Sequence, residues 1–100
     1  MTGERIAGAL GLCRRAGRIT SGLYLVKEEV HSGKAKLVLL AEDAGKDAEK
    51  KLCALAEAGN VPVRRIPLNK NELARCIGKQ GEAVCVAVPK EFVNLVLASL

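Results

Sequence analysis

Tryptophan does not occur in this sequence, and Tyr24 and Phe92 are its only aromatic residues. Leu, Val, Ile and Ala must therefore build the core, and 49% hydrophobic residues are enough to do so. Long apolar runs are missing too: none approaches the roughly 20 residues that a membrane-spanning helix needs. The opening Met1-Thr2-Gly3-Glu4-Arg5 lacks the charged-then-apolar order of a secretory leader, so a cytoplasmic location without a membrane partner is expected. Histidine is nearly absent, with His31 alone, and Cys13, Cys53, Cys76 and Cys85 stand far apart. Zinc sites draw their ligands in close pairs, so no metal site is expected. The four cysteines read as small, reduced core residues.

Signatures of catalysis are also wanting. There is no Gly-x-x-x-x-Gly-Lys-Ser/Thr phosphate loop, no Gly-x-Gly-x-x-Gly after a strand and no Gly-x-Ser-x-Gly nucleophile turn. His31 falls near a helix end, where solvent rather than a pocket surrounds it, so the commonest general base is out of reach. Glu42-Asp43 is the one catalytic candidate, because it follows a strand at the edge where α/β sheets place ligand sites. Its competing role is to cap the next helix. No enzyme activity, cofactor or small-molecule substrate is expected.

What the chain does have is basic charge, unevenly spread. Residues 1–36 carry Arg5, Arg14, Arg15, Arg18, Lys27, Lys34 and Lys36 against Glu4, Glu28 and Glu29, which is +4 of the formal net +5. A basic lobe of this kind suits a polyanionic partner. No linker, repeat or low-complexity tract interrupts the 100 residues, so residues 1–100 read as one domain.

Apolar periodicity lays out the elements. Ile6, Leu10 and Cys13 share one face of a helix over Glu4–Ala16, and Gly8 and Gly11 in it are expected to permit close packing. A very short strand at Arg18–Thr20 leads into a second helix over about residues 22–31. Thr20 and Ser21 are its N-cap candidates, Leu23, Val26 and Val30 its apolar stripe, and Gly33 its stop. Lys36–Ala41 is an apolar run of the kind buried on both faces in parallel sheets. A third helix, about 47–58, turns Ala48, Leu52, Leu55 and Ala56 inward and ends at Gly59-Asn60. Val61–Ile66 is a strand with Pro62 at its start, and Asn69 with Glu72 forms a capping pair for a short helix to Ile77. Ala83–Val88 is the last strand, and Pro89 introduces a final helix to Leu97. Alternation at this spacing predicts an α/β domain: a central, largely parallel sheet of about four strands with helices on both faces.

Two loops could carry binding. Arg18-Ile19-Thr20-Ser21-Gly22 stands at the mouth of the second helix, where free first-turn N–H groups suit a phosphate. Thr20 and Ser21 add hydroxyls, Gly22 allows close backbone approach, and Arg14, Arg15 and Arg18 cluster just upstream; an ordinary helix entry with solvated arginines would look the same. Gly78-Lys79-Gln80-Gly81 is similar to the Gly-x-x-Gly loop with which KH domains clamp a nucleic-acid backbone. A strand, not the helix of a KH domain, follows it here.

Thr20-Ser21-Gly22, the run Gly33-Lys34-Ala35-Lys36-Leu37-Val38-Leu39-Leu40-Ala41-Glu42-Asp43, Val61-Pro62-Val63, Asn71-Glu72-Leu73 and Ala74 through Gly78 together resemble the ribosomal L-seven-Ae and L-thirty-e family. Gly11-Leu12 and Arg14-Arg15-Ala16-Gly17-Arg18 look like its bacterial ribosomal-protein-like branch. The resemblance implies a three-layer α/β/α sandwich with a mixed sheet that binds kink-turns, sharply bent internal loops of structured RNA, ribosomal RNA among them. By position it implicates Thr20, Ser21 and Gly22, then Gly78, Lys79, Gln80, Gly81 and Glu82. Where kink-turn binders usually carry Asn or Lys, then Glu or Gln, then Lys, this sequence has Tyr24, Leu25 and Glu28. Lys27 lies about 100° around the helix from position 28, and Tyr24 offers a stacking surface for a base. Arg15, Arg18, Tyr24 and Lys27 complete the expected RNA-binding set. The alternative is a protein–protein adaptor on the same fold that has lost specific RNA contacts. No feature of the sequence selects an oligomeric state.

Overall fold

The computed structural model describes residues 2–100. Helices and strands alternate along it: α1 (Thr2–Arg15), β1 (Thr20–Ser21), α2 (Leu23–His31), β2 (Ala35–Leu40), α3 (Lys46–Ala58), β3 (Val63–Arg65), α4 (Lys70–Cys76), β4 (Cys85–Pro89) and α5 (Lys90–Ala98). No helix among the described residues is long and apolar enough to cross a membrane.

The four strands form one sheet in the order β1-β4-β2-β3. β2 and β3 are parallel, with Val38 opposite Val63 and Leu40 opposite Arg65. β4 lies between β1 and β2 and is antiparallel to both. The expected α/β fold with a small mixed sheet is present, but the sheet is not largely parallel, since antiparallel pairs outnumber the parallel one. β4 enters the sheet from the end at which β3 leaves it, since Cys85 and Arg65 both stand opposite Leu40.

Helices cover both faces, giving the three-layer α/β/α sandwich. α2 and α3 pack on one side over Val26, Val30, Val38, Leu40, Leu52, Ala56, Cys85 and Ala87. α1, α4 and α5 pack on the other over Ile6, Leu10, Leu37, Leu39, Leu73, Val86, Val88 and Val96. Strict alternation in β4 follows from the two-residue period of a strand. β2 breaks that period once. Its pairing with β4 shifts between Ala35 and Leu37, so Ala35 faces the α2–α3 side as Val38 and Leu40 do, and Lys36 becomes the only exposed side chain of the strand.

The helix ends show which local expectations hold. Asn69 accepts the Glu72 N–H at 2.8 Å while the Glu72 carboxylate accepts the Asn69 N–H at 2.9 Å, the reciprocal capping pair read from the sequence. Thr20 and Ser21 do not cap α2: Gly22 occupies that position, and no side chain bonds the first-turn amides. The Thr20 hydroxyl instead donates to the Glu29 carboxylate at 3.1 Å. Gly8 and Gly11 have open space where a Cβ would be, so they are not packing glycines; a Cβ on Gly3 would lie 3.2 Å from the Pro67 carbonyl oxygen.

The cysteines divide. Cys13 and Cys85 are fully buried, Cys76 is half-buried and Cys53 is exposed, so the expectation of four core cysteines fails at Cys53, which α3 turns away from its buried Leu52 and Ala56. Burial pushes the Cys85 thiol up to about 11 from an ordinary 9.0, against smaller opposing pulls from the Gly22 backbone and the Lys79 charge. Two outcomes are expected. A maleimide reagent labels Cys53 rapidly in the native protein and all four thiols only after denaturation. Below about pH 9 the Cys85 thiol is protonated in both folded and unfolded chains; above it only the unfolded chain ionises, so stability falls as pH rises from about 9 to about 11. Urea midpoints across that range, with Cys85→Ala as the flatter comparison, check the second.

Candidate nucleic-acid interface

One end of the sheet collects several chain turns. β2 ends at Leu40 opposite Cys85, where β4 begins. The Ala41 N–H donates to the Val84 carbonyl at 2.9 Å, and the Gly22 N–H donates to the Cys85 carbonyl at 3.1 Å. The entry of α2 is thereby fastened to the segment that follows the Gly78–Glu82 loop. Lys79 is near enough to act on the Cys85 thiol, as is the Gly22 backbone. Two loops more than fifty residues apart thus converge on Cys85.

Gly22 is needed for its conformation. Its φ of 92° and ψ of 146° suit a residue without a side chain, and nothing stands within 4 Å of where a Cβ would be. The backbone is open to close approach there. Past Gly22, Tyr24 is 72% exposed and Leu25 51% exposed, while Val26 is fully buried, which anchors this first turn of α2 with its outer side chains facing solvent. Lys27 is exposed one step on. Leu23, Tyr24 and Lys27 line a shallow groove of about 590 Å³ with Lys51, Ala54 and Leu55 of α3.

The second loop begins as a helix end. The Gly78 N–H donates to the Arg75 carbonyl at 3.2 Å and the Lys79 N–H to the Ala74 carbonyl at 2.8 Å, the two bonds of a left-handed helix stop that requires the φ of 72° at Gly78. Its likeness to a KH loop therefore reflects how α4 terminates. Lys79, Gln80, Gly81 and Glu82 are all exposed, and Glu82 is 3.8 Å from Lys70. A Cβ on Gly78 would overlap the Arg14 guanidinium, so Arg14 lies across this loop from the last turn of α1.

The structure thus ties Gly22 to the strand that follows the Gly78–Glu82 loop, while Tyr24 and Lys27 face a groove shared with α3. Arg15 is exposed beside Arg14 in the last turn of α1. Ser21, only 9% exposed, presents no free hydroxyl at this surface. Arg18 and Thr20 belong elsewhere. Thr20 lies opposite Ala87, midway along β4, and Arg18 pairs with Glu91 in the first turn of α5. The physical reason is that β1 runs antiparallel to β4, so residues before Ser21 recede from the loop as those after it approach. Arg14, named in the upstream basic cluster, is missing from the RNA-binding set expected from the sequence. The available signal was helix phase, since Arg14 adjoins the inward-facing Cys13.

Glu42-Asp43 stands at the same sheet end in a structural role. Asp43 accepts the Lys70 N–H at 2.9 Å and so caps α4 rather than the helix that follows it in sequence. The Glu42 carbonyl accepts from Arg65 at 2.7 Å.

Comparison with known proteins identifies the family and the fold. The family described as Ribosomal protein L7Ae/L30e/S12e/Gadd45 matches residues 4–96. The chain is 34% identical over 100 residues to the RNA-binding protein YlxQ of Bacillus subtilis (strain 168), covering 100% of this chain and 99% of that protein. A YlxQ protein of Enterococcus faecium is 29% identical over 76 residues, covering 76% of this chain and 73% of that one. Among solved structures, a protein of unknown function from Bacillus halodurans C superposes with a TM-score of 0.85 at 33% identity over 94% of each chain. The Giardia lamblia 15.5kD RNA binding protein shares the fold, with a TM-score of 0.78 at 22% identity over 98% of this chain and 83% of that one.

Proposed function

The chain belongs to the Ribosomal protein L7Ae/L30e/S12e/Gadd45 family, and on that premise we propose that it binds structured RNA, without catalysing a reaction, through the surface shared by the α2 entry and the Gly78–Glu82 loop. In this reading residues 1–100 act as one RNA-binding domain of the cytoplasm, and the RNA is kink-turned, with ribosomal RNA as the candidate source. The observation that carries it is the Gly22–Cys85 bond, which fastens an open, side-chain-free backbone turn to the strand that follows the Gly78–Glu82 loop, across which Arg14 lies. Unpaired bases and bent backbone are what a protein can read in RNA, because the A-form major groove is too narrow. Tyr24 stacks on a splayed base, Lys27 and Lys79 meet phosphates, and the uncapped amides of α2 add partial positive charge. Leu25 stands where kink-turn binders carry Glu or Gln, so recognition rests on shape and stacking more than on hydrogen bonding to bases.

Exposed Tyr24 and Leu25, side by side on α2, favour the second reading of a protein–protein adaptor. A mobility-shift titration against a kink-turn RNA and a plain duplex at two salt concentrations separates the two. Preferential binding of the kink-turn that survives moderate salt is the expected result. Binding to neither RNA would leave the adaptor; equal binding that collapses with salt would reduce the surface to a backbone contact.

A further inference from the structure

At the opposite end of the sheet, where β2 begins and β4 finishes, lies a groove of about 530 Å³ with Arg18, Lys34, Lys36 and Lys90 in its walls. We propose that this groove is a second RNA contact, taking the phosphate backbone of a helical arm that leaves the loop bound at the other end; it rests on the RNA-binding reading above. Each cation is aimed by a separate backbone device. Arg18 follows the left-handed Gly17 that ends α1, and Lys34 follows the left-handed Gly33 that ends α2. Lys36 is thrown outward by the irregularity in β2, and Lys90 opens α5. Convergence of two helix stops, a strand irregularity and a helix start, each placing a cation in one groove, is more than a scatter of surface lysines.

Of the two carboxylates in the groove, Glu91 pairs with Arg18 and Glu29 accepts from the neutral Thr20 hydroxyl, so four cations against two carboxylates leave the walls at a formal +2. Lys34, Lys36 and Lys90 form no ion pair among the described residues and are left for an outside anion. The other wall residues are Gly, Ala, Pro and Thr, so the groove lacks the large apolar or aromatic anchor around which protein interfaces are built. A phosphate backbone needs only spaced cations and room. The ends of β2 are about 17 Å apart, a distance that five or six base pairs cover at about 3 Å each, so one short arm reaches both surfaces.

The test compares wild type with a Lys34→Gln, Lys36→Gln, Lys90→Gln variant on two RNAs. One is a minimal kink-turn; the other has an arm lengthened by about twelve base pairs, which at the same ~3 Å each exceeds the 32 Å longest dimension of the protein. For wild type, the plot of log affinity against log salt is expected to steepen by about 2–3 on the longer RNA, at 0.7–0.9 per phosphate, with at least tenfold tighter binding at low salt. The triple variant should lose that gain and match wild type on the minimal RNA. Equal slopes for the two proteins on the long RNA overturn the groove. Failure of wild type on the minimal RNA, with the lysine-dependent gain on the long one intact, overturns the kink-turn reading and keeps the groove. Poly-glutamate binding as tightly as the long RNA, with the same lysine dependence, would also overturn it, by assigning the groove to an acidic protein.

Discussion

Replacement of Leu39 by Ala is expected to remove about 2–5 kcal/mol from the unfolding free energy, the range seen when a buried Leu loses its side chain. Leu39 is fully buried in β2, a central strand with β4 on one side and β3 on the other, and packs toward α1, α4 and α5. Neighbours held by both sheet partners and a helix layer cannot collapse into the space left behind, so the loss should fall in the upper half of that range. Domains of this size have about 5–15 kcal/mol in all, and each kcal/mol moves the melting temperature by roughly 4–8 °C. A fall of 10 °C or more by circular dichroism is therefore expected. Leu12→Ala, at a position 46% exposed on α1, should stay within about 0.5 kcal/mol of wild type. A loss below about 1 kcal/mol at Leu39 would contradict the packing described here.

The second large effect is on RNA. Arg14→Glu combined with Lys79→Glu is expected to weaken binding to a minimal kink-turn on the order of 100-fold, taking about 1.5 kcal/mol for each charge-assisted contact. Both side chains belong to exposed residues, and neither forms an ion pair among the described residues, so the melting temperature should barely move. Arg18→Glu, tested beside it, should leave binding to the minimal RNA unchanged, because Arg18 sits in the far groove with Glu91. That exposed pair is itself worth at most about 1 kcal/mol. If Arg18→Glu is the damaging change and the Arg14/Lys79 reversal is silent, the interface has been put at the wrong end of the sheet.

Lys36 shows where legibility stopped. In the sequence it starts an apolar run and reads as the edge of a buried strand. Only the pairing shift against β4 reveals that the strand spends a residue there, keeps Ala35 on the α2–α3 face and turns Lys36 to solvent. Arg14 and Arg18 show the same limit in the candidate site. Both belong to one basic cluster in the sequence, and the helix stop keeps their backbones close, with the Arg18 N–H on the Cys13 carbonyl at 2.9 Å. Yet their side chains reach different partners, Gly78 for Arg14 and Glu91 for Arg18. The Asn69–Glu72 pair, by contrast, was readable because capping needs nothing beyond neighbours three residues apart.

The amino-acid order alone determined the elements, their sequence, their stops and the two loops proposed to bind RNA. Those depend on side-chain period, capping groups and left-handed turns, all interactions within a few residues. Tertiary structure decided the direction of β4, the convergence of Gly22 and Lys79 on Cys85, and the separation of the arginines. Each of these turns on strand order, direction and register, which no local stretch of chain records.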